Sequence, residues 1–595
     1  MPADSHEYTE TALELESVSK SFLTGRRTVR ALNSVTLAVK RGIVTGLIGP
    51  DGAGKTTLMR LLAGLLAPDE GRIFVLGIDA SAQPQQVQSI VGYMPQRFGL
   101  YEDLSVQENL DLYADLHSVS SDERAVRYAD LMRMTGLASF SRRLAGRLSG
   151  GMKQKLGLAC SLVGSPPLLL LDEPTVGVDP VSRRELWSIV HRLVTDRGAT
   201  VLLSTAYLDE AERCTEVVLM HGGKVLGQDE PAAFTRRFVG RSFHVFASGI
   251  SKRSLQERVS RAPDVLDAII QGSRVRIVTD RPVVPNATQL LGRDQAVEIT
   301  PVAPRFEDSF VSLLKSSERV PPPSRLSLPG TLANAKAGNP DEEMIVVHKL
   351  SRRFGDFFAV RDVSFAVRRG EVFGLLGANG AGKSTTFRML CGLLPASEGT
   401  LRVAGVDLRQ AAARARARVG YMAQKFSLYG DLSVLQNLRF FSSAYGLKGK
   451  HQHERMDWAL TEFELEPFAD STSRDLPLGF KQRLALAVAL MHEPEILFLD
   501  EPTSGVDPLG RREFWRRINA LAESGITVLV TTHFMEEAEY CDRLVIMAQG
   551  RILAEGTSEE MRERFRSDAL PNPTMEDAFV ALITGAATQQ SGAAA

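Results

Sequence analysis

The sequence contains no long uninterrupted hydrophobic run. Its apolar stretches, such as LLLL at 168–171, are far shorter than the ~18 residues that a helix needs to span a bilayer. The first residues, MPADSHEYTETALE, are acidic and polar, unlike a signal peptide. If the protein acts at a membrane, we therefore expect a separate chain to supply the membrane-spanning segments.

The sequence also contains few cysteines and carries almost no net charge. The four cysteines form no CxxC pair and no metal-binding spacing, which favours a reduced, cytosolic setting over a disulfide framework. The formal net charge is −1, so no overall attraction to nucleic acid is expected. A chain of 595 residues suffices for about four domains or subdomains.

The most informative feature that is present is an internal repeat. GLIGPDGAGKTTLMRLLAGLL at 46–66 recurs as GLLGANGAGKSTTFRMLCGLL at 374–394. LLLDEPTVGVDP at 169–180 likewise recurs as LFLDEPTSGVDP at 497–508. Because the matching segments keep their order almost without gaps, they predict two copies of one domain.

The copies differ after their shared cores. FEDSFVSLL at 306–314 resembles MEDAFVALI at 575–583, but additional residues precede it in the first copy. Among these, SFHVFAS, SRVRIVTD and QAVEITPV alternate apolar and polar residues, which predicts short strands. The predicted regions are a first copy of the repeated domain (1–240), an α+β appendage with a tail helix (241–315), a proline-rich linker (316–343), a second copy (344–584) and a disordered tail (585–595).

Each copy carries the pattern G-x-x-x-x-G-K-[ST] between an apolar strand and a helix, which predicts a phosphate-binding loop. Backbone N–H groups of such a loop surround phosphates, while the lysine reaches the β- and γ-phosphates and the hydroxyl holds Mg²⁺. A glycine-rich turn without a ligand would not explain two copies in register. The expected nucleotide-binding residues are Gly49, Pro50, Asp51, Gly52, Ala53, Gly54, Lys55, Thr56 and Thr57, and Gly377, Ala378, Asn379, Gly380, Ala381, Gly382, Lys383, Ser384 and Thr385.

Each copy also ends an apolar run in Asp-Glu, at Asp172-Glu173 and at Asp500-Glu501. This pattern is typical of a buried parallel strand that places carboxylates at its C-terminal end. We expect the aspartate to bind Mg²⁺ through water and the glutamate to act as base for an attacking water. A turn acid capping the following Pro-Thr segment would explain one such residue, but not both in both copies.

The glycine loops, together with YMPQ, LSGGMKQK, LDEPT, GVDP and TTH, resemble those of the ABC ATPases. The resemblance covers both halves of the chain except the appendage, linker and termini. It implies an α/β fold with two P-loop NTPase (ABC ATPase) domains, each a RecA-like core with an antiparallel β subdomain and a helical subdomain. It also implies ATP and Mg²⁺ as cofactors and ATP hydrolysis as the reaction.

The same resemblance implies roles for further residues. Phe22 and Phe354 match the aromatic residue that stacks on adenine, although each could instead be a core residue at a strand end. Gln96 and Gln424 match the glutamine that senses Mg²⁺ or water and couples to a transport partner. The residues expected at the metal are Thr56, Gln96, Asp172, Ser384, Gln424 and Asp500.

Other matches concern the nucleotide's second contact surface. In LSGGM, Ser149, Gly150 and Gly151 match the signature segment that binds phosphate at a helix N-terminus. Asp179 and Asp507 match the acidic residue of the loop at the interface between two ATPase domains. His533 matches the histidine that contacts the γ-phosphate. The expected catalytic residues are Glu501, His533 and Glu173.

Two segments depart from the family pattern. Ala206 stands where the second copy has His533, and a methyl group cannot donate a hydrogen bond to phosphate. The second signature reads LPLGF, in which Pro477 lacks both a hydroxyl and an N–H, and Leu478 replaces a glycine. Proline is compatible with the start of a helix, so the scaffold can persist without the phosphate contacts.

ABC ATPases bind each ATP between the glycine loop of one copy and the signature of the other. Applied here, both departures fall in one site, which predicts one complete and one degenerate site. The degenerate site would combine Lys55, Thr56, Asp172 and Glu173 with Ala206 and LPLGF; the complete one would combine Lys383, Ser384, Asp500, Glu501 and His533 with LSGGM.

The segments GLYEDLSVQENL and EDxFV resemble those of ABC-2 type exporter ATPases. This favours the ATP-hydrolysing subunit of a multidrug-efflux-like translocase at the cytoplasmic face of the inner (plasma) membrane, bound to separate permease subunits, with no direct membrane span. One alternative is a soluble ABC-type translation factor that acts on ribosomes; another is a tandem sugar-import ATPase. The transported substrate is not encoded in these motifs.

Overall fold

The computed structural model describes residues 10–24, 27–96, 99–291, 296–317, 339, 341–424, 426–568 and 570–593. The chain divides into two compact units. The first comprises Met1–Val178, Ser182–Val239 and Pro304–Glu318; the second comprises Asp179–Val181, Gly240–Ala303 and Arg319–Ala595. Within the described residues, no helix combines the length and apolar character that crossing a membrane requires.

Ten strands of the first unit form two sheets. They are β1 (Thr11–Thr24), β2 (Arg27–Lys40), β3 (Val44–Ile48), β4 (Glu70–Val75), β5 (Ile78–Asp79), β6 (Val91–Met94), β7 (Leu168–Asp172), β8 (Thr200–Thr205), β9 (Glu216–His221) and β10 (Lys224–Asp229). One sheet has the order β2-β1-β4-β5 and is antiparallel. The other has the order β10-β9-β3-β8-β7-β6 and is parallel except at β10.

The central strands of the parallel sheet are buried along their whole length, as their unbroken apolar sequences predict. Eight helices accompany them in this part of the chain: α1 (Lys55–Leu62), α2 (Pro84–Ile90), α3 (Val106–Leu116), α4 (Ser121–Thr135), α5 (Gly150–Leu162), α6 (Pro180–Arg197), α7 (Leu208–Ala211) and α8 (Pro231–Arg236). Buried residues of α1 pack between the two sheets in one hydrophobic core. The helix that follows the glycine loop is therefore fixed on both sides.

The appendage is a small antiparallel sheet with two helices. Its elements are β11 (Ser242–Ala247), α9 (Lys252–Val259), β12 (Val265–Gln271), β13 (Arg274–Thr279), α10 (Ala287–Leu291) and β14 (Val297–Pro301). The strand order β12-β13-β11-β14 is that of a β-α-β-β-α-β motif. The three strands predicted from alternation are confirmed as β11, β13 and β14; β12 escaped notice because VLDAIIQ lacks strict alternation.

Helix α11 (Phe306–Ser317) follows the appendage but belongs to the first unit. The Phe306 N–H donates to Glu212 Oε1 (3.2 Å), and the Ser309 hydroxyl donates to the Phe234 carbonyl (3.0 Å). The rings of Phe234 and Phe306 meet edge to face, with centroids 5.9 Å apart. The region predicted as one domain at 241–315 is thus divided, because its tail helix has its own apolar contacts elsewhere.

The second unit repeats the two-sheet pattern. Its strands are β15 (Glu343–Phe354), β16 (Phe357–Arg368), β17 (Val372–Gly377), β18 (Glu398–Val403), β19 (Val406–Asp407), β20 (Val419–Met422), β21 (Ile496–Asp500), β22 (Thr527–Thr532), β23 (Arg543–Ala548) and β24 (Arg551–Gly556). The sheet orders are β16-β15-β18-β19 and β20-β21-β22-β17-β23-β24. The expected α/β class, with a parallel and an antiparallel sheet in each half, is confirmed.

The helices of this half are α12 (Lys383–Leu390), α13 (Leu408–Arg416), α14 (Val434–Ala444), α15 (Gly449–Glu462), α16 (Leu478–Ala489), α17 (Pro508–Glu523), α18 (Ser558–Glu563) and α19 (Met575–Ala593). A 3₁₀ helix spans Met535–Tyr540. Most of the linker predicted at 316–343 lies outside the described residues. The tail predicted as disordered from residue 585 continues α19 to Ala593 instead, because its alanines and glutamines favour helix.

Candidate functional site

The first glycine loop folds around a buried lysine. Lys55, the first residue of α1, donates from Nζ to the carbonyl oxygens of Gly49 (2.7 Å) and Pro50 (3.2 Å). A Cβ at Gly49 would lie 2.5 Å from the Met220 carbonyl oxygen, so only glycine fits there. At Gly52, whose φ is +78°, a Cβ would meet no atom within 4 Å. The loop is thus tightly packed on one side and open on the other, as a phosphate cradle requires.

The second glycine loop has the same construction. Lys383 begins α12 and donates from Nζ to the carbonyl oxygens of Gly377 (2.6 Å) and Ala378 (3.0 Å). Burial lowers the pKa of Lys383, and the Glu501 carboxylate opposes that shift. Ser384 is exposed on the first turn of the helix. A buried ammonium that donates to two carbonyl oxygens favours an anionic ligand such as a phosphate group.

Asp172 lies at the buried end of β7, beside the first loop. Its Oδ1 accepts hydrogen bonds from the hydroxyls of Ser204 (2.6 Å) and Thr56 (3.3 Å). Its Oδ2 is buried without a hydrogen-bond partner among the described residues. Mg²⁺ is usually held by one or two carboxylates together with phosphates and water, so the free carboxylate oxygen and the Thr56 hydroxyl fit this ion.

Glu173 and Glu501 follow the two aspartates with left-handed backbones, at φ of 51° and 45°. In the first copy, Gln96 Nε2 donates to Glu173 Oε2 (2.6 Å), and Lys55 Nζ lies 3.7 Å from Glu173 Oε1. In the second copy, Gln424 Nε2 donates to Glu501 Oε2 (2.7 Å). The structure therefore brings together the loop lysine, glutamine and glutamate predicted for the first copy, and the glutamine–glutamate pair predicted for the second.

The two glutamates differ in their surroundings. His533 Nδ1 lies 3.1 Å from Glu501 Oε2, whereas the matching position of the first copy is the buried Ala206. Burial raises the pKa of the Glu173 carboxyl, and Lys55 only partly opposes this. Burial would also raise the pKa of Glu501, but His533, Lys383 and Gln424 together bring it below its usual value. Glu501 is therefore the carboxylate that remains ionised more readily.

The signature helices differ at their first residues. Ser149 is the N-cap of α5, and its hydroxyl accepts a hydrogen bond from the Met152 N–H (3.3 Å). Pro477 is the N-cap of α16 and contributes no side-chain cap; only its carbonyl accepts, from the N–H groups of Phe480 and Lys481 (both 3.0 Å). The helix therefore forms in both copies, whereas the hydroxyl is present in only one.

The remaining predicted residues occupy distinct positions. Phe22 and Phe354 are 38% and 48% exposed on β1 and β15, so neither is a core residue. Lys20 and Arg352 lie 5.8 Å and 4.7 Å from their respective ring centroids. Asp507 caps α17, accepting from two backbone N–H groups at 3.0 and 3.1 Å. Exposed rings remain available for stacking on a base.

Several supporting residues were not anticipated from the sequence. The hydroxyls of Ser204 and Thr531 each link an aspartate side chain to the backbone of the glutamate that follows it. The Thr531 hydroxyl donates to Asp500 Oδ1 (2.5 Å) and accepts from the Glu501 N–H (3.0 Å). Buried Asn437 donates to the carbonyls of Tyr429 and Leu432 (3.0 and 3.3 Å). The sequence did contain signals for these supporting residues. A hydroxyl residue stands two positions before both Ala206 and His533, and the segment S-V-x-x-N-L carries an asparagine in both copies.

Comparison with known proteins identifies the class to which this architecture belongs. The family model described as ABC transporter matches residues 32–176 and again residues 360–504. Together with a relative of more than half identical residues along nearly the whole chain, these matches show that the chain belongs to the ATP-binding proteins of ABC transporters. The predictions of tandem ATPase domains, ATP binding and ATPase activity are confirmed.

That relative is the probable multidrug ABC transporter ATP-binding protein YbhF of Escherichia coli (strain K12). It is 52% identical over 553 residues, covering 93% of this chain and 95% of YbhF. The Nod factor export ATP-binding protein I of Cupriavidus metallidurans is 42% identical over 219 residues, 37% of this chain and 72% of that protein. A solved structure of an ATP-binding subunit of an ABC transporter is 32% identical. The match covers 40% of this chain and 99% of that chain, with a TM-score of 0.37.

The His533–Glu501 contact predicts a shift in pH dependence. In His533→Ala, Glu501 loses a contribution that lowers its pKa, so the carboxylate becomes protonated at higher pH. We expect the acidic limb of the kcat/KM profile for ATP hydrolysis to move to higher pH, and kcat to fall by about 10²–10³. Ala206→Gly, the matched change in the other copy, should leave the profile unchanged; a similar shift in both variants would contradict the assignment.

The hydrogen bond from the Thr531 hydroxyl to Asp500 predicts an effect on the Mg²⁺ concentration that ATP hydrolysis requires. Thr531→Val keeps the side-chain shape but removes the hydrogen bond that orients Asp500. Loss of a partner that orients a metal ligand typically costs about 10–100-fold in metal affinity, so ATP hydrolysis should require correspondingly more free Mg²⁺. The KM for ATP at saturating Mg²⁺ should change little. An unaltered Mg²⁺ titration would show that Asp500 does not depend on this hydroxyl.

Proposed function

We propose that this chain is the ATP-hydrolysing subunit of an ABC-2 type membrane exporter. Its membership of the ABC transporter ATP-binding proteins supports a transport role, and the relatives named for multidrug transport and Nod factor export support the direction. Because these relatives are transport proteins, an exporter subunit is preferred to a translation factor. The permeases would be separate integral-membrane chains, and they would hold this protein at the cytoplasmic face of the plasma membrane.

In this proposal the two halves form an intramolecular sandwich with unequal ATP sites. The observation that carries it is the contact between His533 and Glu501, for which Ala206 offers no equivalent beside Glu173. The difference between the Ser149 and Pro477 caps supports it, because ABC ATPases pair the signature of one half with the loop of the other. The complete site would use Glu501, His533 and the Ser149 signature.

The residues of the complete site have separable roles in the proposed chemistry. Lys383 and the loop N–H groups would bind the β- and γ-phosphates, while Ser384 and Asp500 would hold Mg²⁺, which offsets phosphate charge. Glu501 would accept a proton from the attacking water, and its contacts with His533 and Gln424 would hold the carboxylate in position for that transfer. His533 would orient Glu501 and contact the γ-phosphate, and Gln424 would report the state of Glu501 to the permease.

The degenerate site would act mainly by holding ATP. Lys55, Thr56 and Asp172 retain the contacts that nucleotide and Mg²⁺ binding require. Glu173 has no histidine beside it, because Ala206 stands at the matching position, so its carboxylate lacks the contact that would orient it as a base. We infer that binding of two nucleotides closes the halves, that closure reaches the permease near Gln96 and Gln424, and that hydrolysis at the complete site reopens them.

The two glutamates distinguish this arrangement from two equal sites. We expect Glu501→Gln to abolish steady-state ATP hydrolysis and Glu173→Gln to leave most of it, because only Glu501 belongs to the complete site. Phosphate release by the purified full-length chain measures both, with ATP binding as the control for intact loops. If Glu173→Gln abolishes turnover while Glu501→Gln does not, the assignment is reversed.

Restoring the degenerate site provides the complementary test. In a Glu501→Gln background, the combined changes Ala206→His, Pro477→Ser and Leu478→Gly should raise residual hydrolysis by at least about tenfold, since they return the missing hydrogen-bond groups. Adding Glu173→Gln to that variant should remove the recovered activity. Recovered activity that survives Glu173→Gln would not originate in the restored site.

A further inference from the structure

The appendage follows the first ATPase domain in sequence but packs within the second unit. Ile270 of β12 is 2% exposed and belongs to the same hydrophobic core as Trp515, Tyr540 and Cys541. The appendage also has a core of its own, which includes Phe243, so its contact with the ATPase domain is additional to its own folding.

Charged and polar groups of α9 hold one end of the contact. Lys252 Nζ donates to the Cys541 carbonyl oxygen (2.8 Å), and the Arg253 guanidinium binds the Asp542 carboxylate. Arg253 Nη1 also donates to the Gly370 carbonyl (3.3 Å). These groups attach the appendage to the chain directly after the 3₁₀ helix Met535–Tyr540.

A second ion pair holds helix α17. Arg512 Nη1 donates to Asp267 Oδ2, and both side chains are about one-tenth exposed, at 11% and 10%. The Ser254 hydroxyl donates to Glu523 Oε1 (3.0 Å) near the other end of the same helix. A buried ion pair is weak evidence for stability but strongly constrains the position of both partners.

Some of the residues that receive the appendage differ between the two ATPase domains. Asp542 and Glu559 accept from Arg253 and Ser273. At their matching positions the first copy has the uncharged Thr215 and Ala232, whereas Arg512 is matched by Arg184. The carboxylates that receive Arg253 and Ser273 are therefore particular to the second copy, while the partner of Asp267 is shared.

The contacts converge on the segment that carries His533. Arg511, next to Arg512, lies with its guanidinium carbon 4.5 Å from the Phe534 ring centroid, and the Phe534 ring lies 4.2 Å from that of His533. The anchor at Cys541–Asp542 fixes the other end of the 3₁₀ helix that begins at Met535. The end at Cys541–Asp542 is thus tied to the appendage directly, and the end at Phe534 is linked to it through Arg511 and the neighbouring Arg512.

We propose that residues 240–303 position the catalytic groups of the complete site. Asp267 and Arg253 are the positioning residues that keep His533 against Glu501. This inference rests on the proposed function, in which Glu501 and His533 perform hydrolysis. The appendage acts through α17 and through the segment 535–542, and none of its residues is among those proposed to bind nucleotide or Mg²⁺. A change in its docking therefore alters catalytic rate rather than ATP binding.

The test is a double-mutant cycle on the full-length chain. Asp267→Ala should lower kcat for ATP hydrolysis about tenfold without changing the KM for ATP, because small displacements of a catalytic group are costly. If Asp267 acts through Arg512, then Asp267→Ala/Arg512→Ala should lose no more than the more impaired single variant. Arg261→Ala removes an exposed ion pair between Glu257 of α9 and Arg261, which follows the helix, and should leave kcat unchanged. Asp267→Asn, which keeps the side-chain size, replaces Asp267→Ala if the latter does not fold.

Glu501→Gln, measured in parallel, separates the two proposals. If it retains turnover, the proposed function fails and this inference fails with it. If it loses turnover while Asp267 variants keep wild-type kcat, only the positioning role is overturned. A lowered melting temperature with unchanged kcat per folded molecule would likewise make the contact structural and overturn the proposal.

Discussion

Each half of the molecule depends on a pair of adjacent carboxylates at the buried end of a parallel strand, β7 or β21. Charged groups withdrawn from water are costly unless hydrogen-bonded or paired, so the neighbouring elements are constrained to supply partners. Strand β8 or β22 supplies a hydroxyl, and the segment after β6 or β20 supplies a glutamine. In the first copy the glycine loop also supplies a lysine at the start of a helix. A triphosphate with Mg²⁺ would complete this set of partners, because it offers anionic oxygens to the lysine and a cation to the aspartate.

The same scaffold persists in both copies while its chemistry differs. Strand β8 is intact although the first copy has Ala206 where the second has His533. Position 206 lies just beyond the hydrogen-bonded ladder that links β8 to β3 and β7. Pro477 can replace a capping serine because an N-cap needs its carbonyl for the first helical turn, and proline retains that group. Such substitutions remove ligand contacts at little cost to folding, and this is how one nucleotide site can lose catalytic power while it keeps its binding groups.

Much of this arrangement was predictable from the sequence, because it depends on local patterns. The glycine loops, the buried strands ending in Asp-Glu and the signature helices each follow from short motifs, and their repetition fixes the domain number. The docking of the appendage was not predictable, since Arg253–Asp542 and Asp267–Arg512 join residues far apart in sequence with no periodic signal. The separation of α11 from the appendage sheet was missed for a related reason, since composition alone does not reveal which apolar face a segment contacts. The helical continuation to Ala593 was missed although its alanines and glutamines favour helix.

The central claim is that the two nucleotide sites are chemically unequal, and a single-turnover experiment tests it most directly. The full-length chain is loaded with two equivalents of radiolabelled ATP, separated from free nucleotide, and quenched at successive times after Mg²⁺ is added. The account predicts a fast phase that converts half of the bound ATP to ADP. The other half remains ATP for a time many times longer than one steady-state turnover. Conversion of all bound ATP in one phase would contradict it.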